Sequence, residues 1–131
     1  MTDSIKNVVV VGAGGMGALF GSILAEGGLD VTLVDNDREH VDAIRKSGLH
    51  ISGLGGERHQ QIRAEYDAGA VATADIVLFQ CKGTATFDAA KALAHLAGTG
   101  AIFVSFQNGL GNEDILAAHF GIENVFGGLT S

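Results

Sequence analysis

The sequence predicts an α/β fold, a doubly wound, mainly parallel sheet with helices on both faces. Three observations point there. Short runs rich in β-branched residues alternate with stretches of helical periodicity, the pattern of strand–helix–strand units. The first run, Val8-Val9-Val10-Val11, is continuous rather than alternating, as in a strand buried on both faces. It passes straight into Gly12-Ala13-Gly14-Gly15-Met16-Gly17, a glycine-rich turn that opens a helix.

The elements follow in order. Ile5 to Val11 reads as the first strand, and a helix runs from Gly15 to Glu26 with a left-handed stop at Gly27-Gly28. Asp30 to Val34 is the second strand. Asp37 caps a helix that turns Val41, Ala43 and Ile44 inward and closes at Gly48. From Leu49 to Ile62 the pattern changes: His50 to Ser52 and Arg58 to Ile62 flank Gly53-Leu54-Gly55-Gly56, which suggests an antiparallel hairpin. Asp75 to Gln80 is again a strand. Between Thr86 and Ala97, the residues Phe87, Ala90, Leu93, Ala94 and Ala97 recur at helical spacing. Ala101 to Phe106 is the next strand, Asn112 caps a helix with Ile115, Leu116 and Phe120, and Asn124 to Phe126 begins a last strand.

Composition sets the outer limits. At 131 residues the chain reads as a single domain, residues 1–131. An apolar share of 47% against 18% charged argues for a packed core rather than disorder. The 20 glycines are about twice the usual share of ~7%, with no collagen-like period, so they serve tight turns or close ligand approach. Cys81, the single cysteine, rules out an internal disulfide and fits a reducing compartment. The scattered histidines make no metal-binding spacing, so no metal is expected. A net charge of −7 speaks against nucleic acid and anionic membrane surfaces as partners. Val8 to Ala25 carries no charge, but the glycines interrupt it and no signal-peptide pattern surrounds it, so a cytoplasmic protein is expected.

Gly12, Gly14 and Gly17 form G-x-G-x-x-G between a strand and a helix, the Rossmann-type dinucleotide fingerprint: a tight turn, close approach to a pyrophosphate, and close helix–strand packing. Ala13, Gly15 and Met16 complete the loop whose amides face the phosphates. Asp35, at the end of the second strand, stands close to the roughly 20-residue spacing expected of an acid that binds ribose, with Asn36 beside it. A carboxylate there accepts the ribose hydroxyls of NAD(H) and repels the 2′-phosphate of NADP(H). The plainer alternative is that Asp35 and Asp37 only start the next helix, and Arg38 could still receive a 2′-phosphate. Cys81 and Lys82 follow a strand at the sheet edge where ligands lie; Lys82 is a point charge for cofactor or acidic substrate, or a solvated lysine. Cys81 fits a small buried residue better than a reactive thiol. Asn108, in Phe106-Gln107-Asn108-Gly109-Leu110-Gly111-Asn112-Glu113, offers an amide at the next strand end, or simply makes an Asn-Gly turn before a helix cap.

Taken together, Gly12 to Gly17, Lys82 with Thr86, and Asn108-Gly109-Leu110-Gly111-Asn112-Glu113 resemble the amino-terminal domain of the ketopantoate reductase (2-dehydropantoate 2-reductase) family, over nearly the whole chain. The resemblance implies hydride transfer from a reduced nicotinamide cofactor to an α-keto acid, giving a 2-hydroxy acid. It places Lys82 and Asn108 near the cofactor and the reacting carbonyl, in supporting catalytic roles. NADPH-using members commonly carry a basic residue where this chain has Asp35, so NAD(H) is favoured and NADP(H) is the family alternative. The family's proton donor and keto-acid pocket lie in a helical carboxyl-terminal domain that this sequence does not contain. The isolated chain is therefore expected to bind cofactor without turnover and to self-associate through apolar surface. Two other readings remain: a free-standing NAD-sensing regulatory module of the potassium-transport type, and a Rossmann-like interaction domain without ligand.

Overall fold

Four consecutive valines escape water only where both sides of their strand are covered, and the first strand sits at the centre of the molecule. The computed structural model describes residues 6–12, 14–53, 56–80, 83–105 and 112–127. In chain order they form β1 (Asn7–Val11), α1 (Gly15–Glu26), β2 (Asp30–Val34), α2 (Arg38–Ser47), β3 (Leu49–Gly53), β4 (Gly56–Gln60), β5 (Arg63–Glu65), β6 (Ile76–Phe79), α3 (Gly83–Ala92), β7 (Ile102–Ser105), α4 (Asn112–Phe120) and β8 (Val125–Gly127). Single 3₁₀ turns lie at Ala68–Ala70, Ala94–Leu96 and Ile122–Asn124.

Six strands make one sheet in the order β5-β2-β1-β6-β7-β8, every neighbouring pair parallel. Numbered by their own sequence, these strands stand 3-2-1-4-5-6, the order of the Rossmann fold, and the order reverses between β1 and β6. Side chains of β1 alternate between two cores, as the twofold period of a strand requires. Val8 and Val10 join Val31, Leu33 and Ala64 under α1 and α2, where Ala18, Val41 and Ile44 close the layer. Val9 and Val11 join Val77, Phe79 and Phe103 on the opposite face, beneath Leu93, Leu116 and Phe120. There the rings of Phe103 and Phe120 lie parallel, with centroids 3.7 Å apart.

Most expected elements are present, with α1 and β2 at the expected bounds. The end of α1 is a Schellman turn: Leu29 N donates to Leu24 O, Gly28 N donates to Ala25 O, and Gly28 takes φ +96°, which only glycine accepts cheaply. Asp37 caps α2 by accepting from His40 N at 3.3 Å. The hairpin is real: β3 and β4 pair antiparallel, apart from the main sheet. The buried Ser22 hydroxyl of α1 donates to Gln60 Oε1 at 2.5 Å and ties it down. At the opposite edge of the sheet from Gly12, the Asp75 carboxylate accepts from Asn7 N at 2.8 Å and Lys6 N at 3.0 Å. These backbone donors, Asn7 first, hold its carboxyl below the usual carboxylate range.

Some expectations fail. Ala43 is exposed, because Val41 and Ile44 alone fill the inward stripe of α2. The helix expected from Thr86 to Ala97 begins earlier, at Gly83, and ends at Ala92. It gives way to the 3₁₀ turn, whose tighter winding turns Ala94 and Ala97 to solvent while Leu93 and Leu96 stay buried. Phe87 is 47% exposed, and its ring meets His119 of α4 edge-on at 5.6 Å instead of entering the core. The strand β5 was not foreseen. No helix among the described residues is long and apolar enough to cross a membrane.

Candidate functional site

The parallel sheet sends the carboxyl ends of β1, β2, β5, β6 and β7 to one edge, and Gly12, Asp35 and Asn36 lie together there. Gly12 leaves β1 with φ +99°, a turn closed to ordinary side chains, and its amide donates to Val34 O at 2.7 Å. On the other side Gln80 N donates to Val11 O at 2.7 Å, so the turn is held between β2 and β6. Gly14 then takes the N-cap position of α1 and contributes no side-chain cap; the first helical bond runs from Ala18 N to Gly14 O at 2.8 Å. No acidic residue stands in the first turn.

The glycines of the turn do different work. A Cβ added to Gly17 would fall on the carbonyl oxygen of Gly12, so glycine is what lets α1 pack against the end of β1. A Cβ added to Gly14 would meet nothing within 4 Å. Its backbone faces open space at the amino end of a helix, where unpaired amides and the positive end of the helix dipole receive an anion. The Gln80 side-chain nitrogen, buried beside Gly17 without a hydrogen-bond partner among the described residues, is a further donor at this edge. These features fit the phosphates of a nucleotide. Gly15 and Met16 lie in the first turn of α1.

Beside the turn is a cavity of about 230 Å³. Val11, Gly12, Val34, Asp35 and Asn36 form its strand-end wall. Tyr66, Asp67 and Ala68, after β5, face them, and Asp88, Ala89 and Ala92 of α3 complete it. Asp35 N donates to Glu65 O at 3.0 Å, and Asp35 Oδ1 accepts from Asp37 N at 2.9 Å, which fixes the carboxylate at the rim. Asp67 caps the following 3₁₀ turn through Gly69 N at 2.9 Å. Among the described residues, three carboxylates therefore line the cavity and no Lys or Arg does.

Sequence reasoning found the half of this cavity built by β1 and β2, including Asp35 and Asn36. It missed Tyr66, Asp67 and Asp88, which no local motif marks. Ala13, Cys81, Lys82 and Asn108 lie outside the described residues. The strands that precede the last three in sequence are β6, which pairs with β1, and β7, which pairs with β6. Thr86, which the resemblance pairs with Lys82, is fully buried in α3. Among the described residues no three His, Cys, Asp or Glu side chains gather as a metal site.

The model of the family described as ketopantoate reductase PanE/ApbA matches residues 8–131. A 2-dehydropantoate 2-reductase of Halobacterium salinarum is 38% identical over 125 residues, which make up 95% of this chain and 41% of that protein. Among solved structures, a PanE/ApbA family ketopantoate reductase from Ralstonia eutropha JMP134 is 32% identical with a TM-score of 0.82, over 95% of this chain and 40% of that one. A D-mandelate dehydrogenase solved with NADH and anilino(oxo)acetate is 26% identical with a TM-score of 0.88, over 95% and 40% of the two chains. This chain thus spans about two-fifths of the length of these relatives. Nothing among them supports the regulatory-module alternative. With a matching family model over nearly its whole length and a Rossmann strand order, the chain belongs to the ketopantoate reductase family.

Proposed function

We propose that these 131 residues form the dinucleotide-binding domain of an oxidoreductase that reduces an α-keto acid to a 2-hydroxy acid, as 2-dehydropantoate 2-reductases do, with NAD(H) as its cofactor. The observation that carries this reading is the amino end of α1 at Gly14, with no side-chain cap, next to a cavity that Gly12 and Asp35 line together. The turn from Gly12 to Gly17, with Ala13, Gly15 and Met16, binds the pyrophosphate through backbone amides. The cavity beside it is too small for a whole dinucleotide and takes the adenosine end. Asp35 accepts hydrogen bonds from the ribose hydroxyls, and Asn36 lies next to it.

The same carboxylates favour NAD(H) over NADP(H), because a ribose 2′-phosphate would enter a cavity lined by Asp35, Asp67 and Asp88. When bound, the reduced nicotinamide supplies a hydride to the keto carbon. Lys82, Cys81 and Asn108 contribute at the nicotinamide end, Lys82 as a positive charge and Asn108 as an amide donor toward the reacting carbonyl. The keto-acid pocket and the proton donor come from outside these residues.

Calorimetric titration of the chain with NADH and, separately, NADPH tests the assignment. Tighter binding of NADH is expected. Tighter binding of NADPH would overturn the role given to Asp35, and binding of neither would overturn the cofactor reading.

A further inference from the structure

A cation lies against one of the residues that line the acidic cavity. Arg38 opens α2 three residues after Asp35, and its guanidinium carbon lies 4.5 Å from the centroid of the Tyr66 ring, which itself lines the cavity. Arg45, two turns further along α2, lies 5.0 Å from the same centroid, but it is committed elsewhere. Its Nε donates to Ala64 O at 2.8 Å, and its Nη2 pairs with Glu65 at 2.6 Å. An arginine this close to a ribose-binding acid is the natural receiver of a 2′-phosphate, since a guanidinium grips phosphate in a two-pronged fork. An arginine lying on an aromatic face is instead held by the ring's quadrupole.

We propose that Tyr66 is a cofactor-specificity residue: its ring holds the Arg38 guanidinium away from the ribose 2′-position, leaving Asp35 to decide for the unphosphorylated cofactor. The inference deepens the cofactor reading above and rests on it. Tyr66 works through Arg38, so it is a positioning residue. Removing the ring while keeping apolar bulk frees Arg38 to meet a 2′-phosphate; keeping an aromatic ring without the hydroxyl changes little.

The test is the ratio of the dissociation constants for NADPH and NADH, measured by calorimetry on the native chain and on Tyr66→Leu, Tyr66→Phe and the double variant Tyr66→Leu/Arg38→Ala. An exposed contact of this kind corresponds to a bias of about two- to fivefold. The ratio is expected to shift toward NADPH by that factor in Tyr66→Leu, to keep its native value in Tyr66→Phe, and to lose the shift when Arg38 is also removed. An unchanged ratio in Tyr66→Leu, with NADH still bound, overturns the proposal, as does a shift that survives the loss of Arg38. If the native chain binds neither cofactor, the cofactor reading fails and this inference fails with it; the native titration alone tells the two cases apart.

Discussion

Gly14 and Gly17 stand three residues apart in one turn, and the same substitution should do opposite things at each. In Gly17→Ala the new methyl would fall on the Gly12 carbonyl oxygen, which is backbone and cannot swing aside. Overpacking costs about 1–3 kcal/mol even where side chains yield, so the upper end applies. Against this, Ala gains about 1 kcal/mol over Gly within a helix. The net loss of about 2 kcal/mol corresponds to a fall in melting temperature of about 7 °C for a chain of this length. In Gly14→Ala the methyl meets nothing. The weaker N-cap and the stiffer unfolded chain nearly cancel, leaving stability within about 0.5 kcal/mol. That methyl instead occupies the space through which phosphate reaches the helix amides, and NADH affinity should fall about tenfold or more. Thermal melts followed by circular dichroism, with calorimetric NADH titration, read both effects. A Gly17→Ala protein melting within 2 °C of native would refute the packing argument, and a Gly14→Ala protein binding NADH like native would refute the phosphate assignment.

Asp35→Ala should lower NADH affinity by about tenfold, the lower end for hydrogen bonds to a charged group, while the loss of the bond from Asp37 N costs no more than about 1 kcal/mol of stability; native affinity by calorimetry would remove Asp35 from the ribose site. Asp75→Ala removes a carboxylate that accepts from Asn7 N and Lys6 N, and should cost about 1 kcal/mol in urea unfolding at pH 7. Because the folded carboxyl titrates below its unfolded value of about 3.9, its contribution is complete above that pH and is lost as pH falls through the folded value. The gap between native and variant should therefore close in acid, and a gap constant from pH 7 to pH 3 would contradict it. Phe103→Ala, which empties the partner of Phe120, should destabilise by about 3–5 kcal/mol in the same assay; a loss under 1 kcal/mol would mean that the stacked pair is not core.

What was legible in the sequence was what local chemistry decides. The valine run, the glycine turn, the acid after β2, the Asp37 cap and the hairpin each carry their own signal within a few residues. The strand β5 carries none: Arg63, Ala64 and Glu65 include one small apolar residue, and only pairing with β2 makes them a strand. Tyr66, Asp67 and Asp88 were missed for the same reason, since the cavity arises only when β5 and α3 fold back beside β1 and β2. Periodicity also overreached at Phe87, where helical spacing was right but the inner face was already filled by Thr86, Ala90 and Leu93.

The central position of β1 has a consequence during synthesis. One side of β1 pairs with β2, which follows it closely, whereas the other side waits for β6, whose partner residues lie near position 76. At ribosomal speeds of 5–20 residues per second, the stretch between Val34 and Phe79 takes roughly 2–9 s to emerge. For that interval the nascent chain presents a bare row of valine backbone, the kind of surface to which foreign strands add. A slow translation step within that stretch would lengthen the exposure, and a holding chaperone that shields Val8–Val11 would shorten it.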